Sequence, residues 1–593
     1  MMRNFALLRT AIPVLALLSL VSCCPCNPPA NPAPIRYFDA HSHTSGILPF
    51  QVYADPETFL NDPTHLDAIS ADKRLELWKA LLKDKGLAEN KDGRFVEGAR
   101  KTLTTYGKAD NLNPAQINAA LERVLTATPW TEFDSAYKVR GAIENGYLHD
   151  LYNKLFGDGT AETKESDALC DATILQLALT NTAYSEQFLS FVGGWNRNDD
   201  LAVAAKKNAD KVRYLECFIY PRKSVLNNEH FKALGKPLPQ VKILLMTHTS
   251  ELGAKASGWL QYGGAENCGL KKDKDEIQPP AVTLPEDVRK ALLGQDNQGK
   301  SFVQKDQRTD YFNGVIGIDT AAPETTCFTS ATASDNQGEG MDRYKAFVRA
   351  VLSAARERRS MGWHGRLLVH THVGEGGATY QFKGTGKDPF EYFPTVYMDK
   401  ENEPVHVVQS RKNIQKLIQA VSELKSENPE IGDFIVFRFG HVTHAGFSDA
   451  LAMKLLNIEA DINLASNIST RSYYSKEFAD RLAKHLTPEE ELRDGDPVRE
   501  FLSGPDADKI LAEHPLKFML EAGVRTMLGS DGGGVEHSTI EQEYNRAESL
   551  IRYWAAQDPD FKRLGISIDT IHKNVHAHLK DMGADFAQPK SKP

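Results

Sequence analysis

Short runs of apolar residues, separated by segments with helical periodicity, limit what this 593-residue chain can fold into. The runs are nearly continuous rather than alternating, which is typical of parallel strands that helices cover on both faces. Helical patterns lie between the runs, for example over Met341–Arg359, Lys412–Lys425 and Ser538–Ala556. The runs that predict strands are Ile35–Phe38, Val212–Ile219, Val241–Met246, Gly314–Ile318, Leu367–Val369, Phe434–Phe437 and Val524–Leu528.

Alternation of strands and helices indicates an α/β fold, either a barrel or a doubly wound sheet. The length allows several domains of about 150 residues or one large barrel with insertions. Repeats at solenoid periods are absent from the sequence. We therefore expect one (β/α)8 TIM-type barrel with helical insertions, over residues 36–588.

Two stretches interrupt the alternation and are interpreted as insertions. Residues 67–157 are charged, helix-prone and poor in strand patterns, so we expect a helical insertion there. Residues 253–310 are rich in Lys, Asp, Gln and Gly, which predicts a long exposed excursion.

Composition excludes several classes of protein. Hydrophobic residues make up 41% of the chain and charged residues 25%, which is ample for a sizeable core. A formal net charge of −9 without any basic run argues against a nucleic-acid polymer as partner. Seven cysteines are too few for a disulfide scaffold, and none has zinc-knuckle spacing. Four of them could pair in an oxidising compartment, in a pattern that the sequence does not assign: Cys170, Cys217, Cys268 and Cys327.

The N-terminus has the features of a targeting segment. After a basic start, Ala11–Val21 is apolar, but eleven residues are too short to cross a ~30 Å hydrocarbon core. We expect a signal peptide over residues 1–22 and a Pro-rich tether over 23–35. Leu20-Val21-Ser22-Cys23 resembles the lipobox of bacterial lipoproteins, which implies lipidation of Cys23. The chain would then be anchored in the bacterial cell envelope, at the outer membrane or a periplasmic face. The alternative is a plain secretory signal peptide with an incidental cysteine.

Histidines and carboxylates follow the apolar runs. His41 and His43 leave the first strand two residues apart, so both point to one face and can bind one ion together. His370 and His372 end another run and also share a face, so that either could be a ligand. Asp531 follows the last run. Because the carboxyl ends of barrel strands meet at one mouth, we expect a metal site there, and these ligand types suit Zn²⁺.

The ordered motifs resemble those of the adenosine deaminase-like family of the amidohydrolase superfamily. The resemblance covers about residues 37–45 and 311–544. A Tyr-x-Glu motif occurs twice, at Tyr184–Glu186 and Tyr214–Glu216, and its alignment stays open. The matching segments are His41–His43 for the first metal pair, Gly317–Glu324 for G-x-D-L-A-G-x-E, His372–Glu375 for H-A-G-E, Arg438–His441 for R-I-G-H, Ser466–Asn467 for S-N, and His514–Tyr544 for the last block.

The resemblance implies one zinc ion per chain, held by His41, His43, His372 and Asp531. The H-x-G-E context favours His372 over His370 as the ligand. His441 would act as base or electrostatic partner of a metal-activated water, and Asp531 would orient that water. Glu375 would protonate the ring nitrogen beside the attacked carbon.

The reaction implied is hydrolytic deamination of adenosine or a related amino-purine or heterocycle. The strand end Gly314–Ile318 has no lysine of the kind that bridges two metals in dinuclear amidohydrolases, so we expect a mononuclear site. Three substrate-binding positions depart from the family: Ser45 and Gly532 replace aspartates that contact ribose and purine, and Ala322 replaces a glycine. Loss of a buried hydrogen-bond partner costs about 1–3 kcal/mol, so we expect weakened or redirected specificity.

Two other functions remain open from the sequence. The same mononuclear site could hydrolyse an amide or ester, releasing an acid instead of ammonia. The chain could also be a non-catalytic surface-binding barrel, although a complete ligand set and Glu375 argue against that interpretation. The oligomeric state is not indicated.

Overall fold

A computed structural model describes the barrel and part of its connections. The described residues are 37–43, 173–174, 176–178, 180–190, 218–219, 238–248, 285–296, 298–321, 339–374, 379–382, 392–395, 405–469, 473, 507–532 and 538–583. The predicted signal peptide, Cys23, the tether, the insertion over 67–157 and the four remaining cysteines lie outside these residues.

Eight parallel strands form one sheet in the order β1-β2-β3-β4-β5-β8-β9-β10. The sheet is nearly closed, because Ser42 pairs in parallel with Asp531 beyond the last strand. This architecture confirms the predicted (β/α)8 TIM-type barrel. Its strands are β1 (Tyr37–His43), β2 (Thr182–Ser190), β3 (Gln240–His248), β4 (Val315–Ala321), β5 (Leu367–Val373), β8 (Ile435–His441), β9 (Ile458–Ile462) and β10 (Thr526–Leu528).

Helices follow or separate the strands. Two short strands, β6 (Thr379–Phe382) and β7 (Tyr392–Thr395), pair antiparallel in a separate sheet. No helix in the described part of the chain is long and apolar enough to cross a bilayer. The helices are α1 (Pro285–Leu292), α2 (Arg308–Gly314), α3 (Glu339–Ser360), α4 (Val405–Glu427), the 3-10 helix Pro429–Asp433, α5 (Phe447–Leu455), α6 (Leu464–Ser469), α7 (Ala507–Ile510), α8 (Leu516–Glu521), α9 (Ile540–Gln557), α10 (Pro559–Arg563) and α11 (Ile568–Asp581).

The apolar runs predicted the barrel strands unevenly. Every run except Val212–Ile219 overlaps a barrel strand. That prediction is wrong at Phe218 and Ile219, which are helical, while 212–217 lie outside the described residues. A short apolar run fits a buried helix as well as a strand, which explains the error. No apolar run predicted β2 or β9, because charged and polar residues interrupt their apolar pattern. The motif whose alignment was left open at Tyr184–Glu186 lies on β2.

Within 253–310, the stretch predicted to be an exposed excursion, residues 287–288 and 291–294 are buried, whereas nearly all of residues 298–310 are exposed or half-buried. Helix α1 buries Val288, Ala291 and Leu292 and packs against α3. These three residues have the i, i+3, i+4 spacing of one helix face, which the polar composition around them conceals. Helices α1 and α2 lie between β3 and β4 in the chain, so they belong to the barrel's own connection.

Alternate residues of each strand face two different parts of the core. One buried cluster includes Leu244, Ile316, Leu368 and Val436, which fill the barrel interior. Their strand neighbours, for example Ile243 and Leu245, belong to the larger cluster that the helices cover. The barrel interior is therefore a packed core rather than a pore.

Above this apolar layer, four buried charged residues form what we term the lower charged layer: Glu186, Arg438, Glu459 and His578. The Nδ1 atom of His578 lies 2.8 Å from Glu459, and its Nε2 lies 3.0 Å from Glu186. Arg438 donates to Glu186 from the other side. Burial lowers the pKa of His578, but the carboxylates of Glu459 and Glu186 outweigh burial, and the net pKa is raised. Glu186 and Glu459 thus face His578 and Arg438, and Glu459 also pairs with Arg525 at 2.7 Å. His578 ties α11 to the strands.

We expect the stability of the protein to depend on protonation of His578. Because its folded-state pKa is raised, its stabilisation is fully present below about pH 6.5 and is lost as pH rises through the folded-state pKa. Thermal melting between pH 6 and 10 should show this loss in the wild type and not in His578→Gln. At pH 6 that variant should be destabilised by about 1–3 kcal/mol. His576→Gln, at an exposed position of the same helix, is the control. An identical pH profile in wild type and His578→Gln would contradict this prediction.

Arg358 of helix α3 is a buried cation held by backbone carbonyls. Its Nε lies 2.9 Å from the Leu292 carbonyl, and its Nη1 lies 3.1 Å from that of Phe312 and 2.8 Å from that of Val315. The guanidinium also lies over the rings of Phe312 and Trp363. Burial lowers the pKa of Arg358 to about 9, so it stays charged at neutral pH. The side chain therefore joins α3 to the ends of α1 and α2 and to the start of β4.

Replacing Arg358 by Met should destabilise the protein by roughly 3 kcal/mol or more. The reason is that three buried carbonyls lose their donor, and each unsatisfied group costs about 1–3 kcal/mol. Chemical denaturation would measure the change in the free energy of unfolding. Arg356→Met is the matched control, because Arg356 pairs with Glu430 on the surface and should contribute less than ~1 kcal/mol. Equal effects of the two substitutions would refute the assignment.

Candidate metal centre

The predicted ligands come together at the carboxyl ends of the strands. His41 and His43 lie on β1, His372 on β5, and Asp531 just beyond β10. The Nε2 atom of His43 lies 3.2 Å from Nε2 of His372 and 3.4 Å from Oδ1 of Asp531. The Nε2 atom of His41 lies 3.8 Å from the same Oδ1. Ligand atoms about 2.0–2.2 Å from one tetrahedral zinc ion are about 3.3–3.6 Å apart, so these three separations are close to those of a shared cation. The ligand atoms of His41, His43 and Asp531 all lie within 4.8 Å of one another, as do those of His41, His372 and His441.

The electrostatics of the β1 histidines suit metal ligation. Burial and the neighbouring His372 lower the pKa of His43 to about 3. Burial also lowers the pKa of His41 well below its ordinary value, despite the nearby carboxylate of Asp461. Both rings are therefore neutral at physiological pH, and a neutral imidazole offers the lone pair that a metal ion requires.

The environment of His41 tests whether a metal ion fits. Its Nδ1–H donates to Oδ1 of Asp461 at 2.7 Å, which leaves the lone pair on Nε2. That Nε2 is buried and has no hydrogen-bond partner among the described residues. A buried polar atom without a partner costs about 1–3 kcal/mol, a cost that a bound cation removes. The donor set, three imidazole nitrogens and one carboxylate, therefore fits a divalent cation such as Zn²⁺.

Carboxylates behind the ligands fix the orientation of the rings. Asp461 accepts from His41, and Oδ1 of Asp319 accepts from Nδ1 of His372 at 2.9 Å. Each bond places the ring proton on Nδ1 and the lone pair on Nε2, as is common for metal-binding histidines. Burial raises the pKa of Asp319 and of Asp461, whereas the adjacent histidines lower it. The histidines outweigh burial, so the pKa of each carboxyl lies below its usual range.

Asp461 was missed by the sequence analysis, although a signal was present. In Ile458-Glu459-Ala460-Asp461-Ile462, two acidic residues alternate with apolar ones and share one face of β9. Both are buried, so they cannot be explained as a solvated strand face. Asp319 was noted only as part of a motif.

His370 contacts carboxylates through both ring nitrogens, whereas Nε2 of His372 lies 3.2 Å from Nε2 of His43, an arrangement that favours His372 as the ligand. Its Nδ1 lies 2.5 Å from Oδ1 of Asp319, and its Nε2 lies 2.7 Å from Oδ2 of Asp461. Both ring nitrogens are thus engaged by carboxylates. Burial lowers the pKa of His370, but Asp461 and Asp319 outweigh burial and raise it overall.

His441 lies beside the ligand cluster in a strained backbone conformation. Its φ is 61°, that of Val442 is 41° and that of Asp531 is 56°, all in the left-handed region that β-branched residues such as valine avoid. The Nδ1–H of His441 donates to Oδ1 of Asn467 at 2.9 Å, and Nε2 lies 3.8 Å from Oδ2 of Asp531. Burial lowers the pKa of His441 to about 4, so the ring is neutral and Nε2 can accept a proton.

Two glycines make room for the site. A Cβ atom at Gly440 would lie 2.8 Å from the ring of His370, and one at Gly529 would lie 2.3 Å from Cβ of His41. Real Cβ atoms do not approach other atoms so closely. Gly440, the glycine of the R-x-G-H segment, therefore leaves the space that the ring of His370 occupies.

The last strand end is fixed against the first. Asp39 accepts from the backbone N–H of Ser530 at 2.9 Å and from its hydroxyl at 2.6 Å. The backbone N–H of His43 donates to the Asp531 carbonyl at 2.9 Å, and that of Asp531 donates to the His41 carbonyl at 2.7 Å. Closure of the barrel thus places Asp531 beside the β1 histidines.

The remaining predicted positions are only partly described. Gly532 is buried directly after Asp531. Tyr184–Glu186 lies on β2, and Ser466–Asn467 lies in helix α6. Glu375, Ser45 and Ala322 lie outside the described residues, so their assignments stay predictions.

Comparisons with known proteins show limited similarity. No protein-family model matches the chain, and no curated protein matches it. It is similar to the solved structure of the N6-methyl-AMP deaminase from Arabidopsis thaliana, at 14% identity and a TM-score of 0.41 over 94% of this chain and 93% of that one. The chain is also similar to the adenine deaminase from Arthrobacter aurescens, at 11% identity and a TM-score of 0.35 over 91% of this chain and 99% of that one. A triazine hydrolase variant is similar at 10% identity and a TM-score of 0.31, over 72% of this chain and 60% of that one.

Proposed function

We propose that the protein is a mononuclear, zinc-dependent hydrolytic deaminase of the adenosine deaminase-like type. The observation that carries the proposal is the convergence of His41, His43, His372 and Asp531 at the barrel mouth, with the neutral ring of His441 beside them. The order of the sequence motifs supports deamination among the reactions that such a site can catalyse.

The described residues have roles that follow from their geometry, and Glu375 has the role that the family resemblance implies. The three histidines and Asp531 would hold the ion, which when bound supplies Lewis-acid chemistry and lowers the pKa of a water from ~15.7 towards ~7. His441 accepts a proton at Nε2, since its Nδ1–H is occupied by Asn467. Asp531 Oδ2 faces that nitrogen and orients the proton transfer. Glu375 would donate a proton to the substrate ring nitrogen while water adds to the adjacent carbon and gives a proton to His441. His441 would pass that proton to the amino group, which leaves as ammonia, and the hydroxyl proton would return to Glu375.

The proposed substrate is an amino-purine, a nucleoside or a related amino-heterocycle. The buried Gly532 has no side chain to contact a purine ring, so substrate selection would depend on other residues. We also propose anchoring in the bacterial envelope through a lipid on Cys23, from the resemblance to a lipobox. Mass spectrometry of the N-terminal peptide would test the anchor.

Purified full-length protein should contain about one zinc ion per chain and release ammonia from at least one amino-heterocycle. Asp531→Asn should lose most of the metal, because a neutral amide replaces the only carboxylate in the predicted ligand set. Elemental analysis and an enzyme-coupled ammonia assay would measure both. Asp560→Asn, at an exposed position of helix α10, is the control and should keep both the bound metal and the release of ammonia. A metal-loaded protein that releases no ammonia across a broad panel would exclude deamination.

Glu375→Gln should lower turnover by roughly 10²–10⁴-fold, because the amide cannot donate the catalytic proton. Zinc content should stay at the wild-type value, since Glu375 is not one of the predicted ligands. Turnover and metal content are to be measured on the same preparation. Unchanged turnover would remove Glu375 from the mechanism.

Hydrolysis of an amide or ester is the second candidate. It is favoured by the absence of a purine-contacting side chain at Gly532. Acid release without ammonia, measured by proton titration on the same metal-loaded protein, would identify this activity.

A further inference from the structure

A continuous chain of hydrogen bonds joins two of the proposed ligands behind the metal centre. His41 donates to Asp461 at 2.7 Å, and Asp461 lies 2.7 Å from Nε2 of His370. The opposite nitrogen of His370 lies 2.5 Å from Asp319, which accepts from His372 at 2.9 Å. All five side chains are buried. We term this set the carboxylate–histidine chain.

We propose that His370 is a positioning residue of the metal centre, which holds Asp461 and Asp319 in place and thereby aims the lone pairs of His41 and His372 at one ion. The inference rests on the metal centre of the proposed function. It does not depend on the substrate or on deamination.

The hydrogen-bond chemistry of His370 carries the inference. The two ring nitrogens of His370 each lie within hydrogen-bond distance of a different buried carboxylate, so one side chain spans both carboxylates. Among the described residues, every hydrogen-bond partner of Asp319 and Asp461 is a histidine of this chain. A side chain with a single donor cannot hold both carboxylates.

Packing fixes the ring of His370 as well. The ring of Phe188 lies against it, with centroids 4.6 Å apart. On another side lies Gly440, where even one methyl group would come within 2.8 Å of the imidazole. The ring is therefore confined between β2 and β8, and the two carboxylates are confined with it.

The test is zinc affinity in His370→Gln, measured by chelator competition. Gln can donate from only one nitrogen, so one carboxylate loses its partner. Loss of a partner behind a metal ligand typically weakens metal binding by roughly 10–100-fold, and we expect a change of that size. The visible spectrum of Co²⁺-substituted protein should shift, because the ligand geometry changes. Circular dichroism would confirm that the variant is folded.

Two further variants keep the test decisive. Gly440→Ala displaces the ring of His370 without removing it, and should also weaken zinc binding. Gly432→Ala is its control, because a Cβ there meets no atom within 4 Å. In an Asp319→Asn background, His370→Gln should have a smaller effect than in the wild type, because the two residues act through one chain.

Unchanged zinc affinity and an unchanged Co²⁺ spectrum in folded His370→Gln would overturn the inference. Additive effects of His370→Gln and Asp319→Asn would also overturn it, since they would mean that His370 acts independently. Failure of the proposed metal centre is distinguished by the wild type, which would then bind no zinc. Failure of deamination alone leaves the zinc measurements, and therefore the inference, intact.

Discussion

Burial of charge inside the barrel is the constraint on which the rest of the structure depends. An ionised group in a dry interior is strongly unfavourable unless it is paired and hydrogen-bonded. The interior meets this requirement in two layers, the lower charged layer and the carboxylate–histidine chain above it. On β8 and β9, the residues of the lower layer lie two positions before those that line the metal centre: Arg438 before Gly440, and Glu459 before Asp461. Strand β9 thus contributes a carboxylate to both layers through the same face, and on β8 Gly440 leaves space for the ring of His370.

This layered pairing orients the side chains that we propose as metal ligands. The carboxylates of Asp461 and Asp319 keep the ring protons of His41 and His372 on Nδ1, away from the mouth. Burial keeps the rings of His41 and His43 neutral, and the closed barrel keeps Asp531 beside them. The cost of orienting the ligands is therefore met by folding, which leaves more of the binding free energy for the ion.

The sequence was informative wherever apolar runs and histidines coincided. It predicted the barrel, and it predicted that His41, His43, His372 and Asp531 would meet at its mouth. It failed at β2 and β9, because buried charges such as Glu186 and Asp461 interrupt the apolar pattern that indicates a strand. Their partners come from distant strands, so periodicity within one segment cannot reveal them. For the same reason, the sequence did not predict the role of His370, which depends on two carboxylates contributed by different strands.

The pairing of Ser42 with Asp531 joins segments separated by almost the whole barrel sequence. Contacts of such large sequence separation are slow to form, because the intervening chain must first be ordered. During synthesis the β1 histidines emerge early, and their carboxylate partner emerges only with the last strand. A chain interrupted before β10 would hold part of the ligand set and no closed mouth. Acquisition of the metal would therefore be one of the last steps in the maturation of this protein.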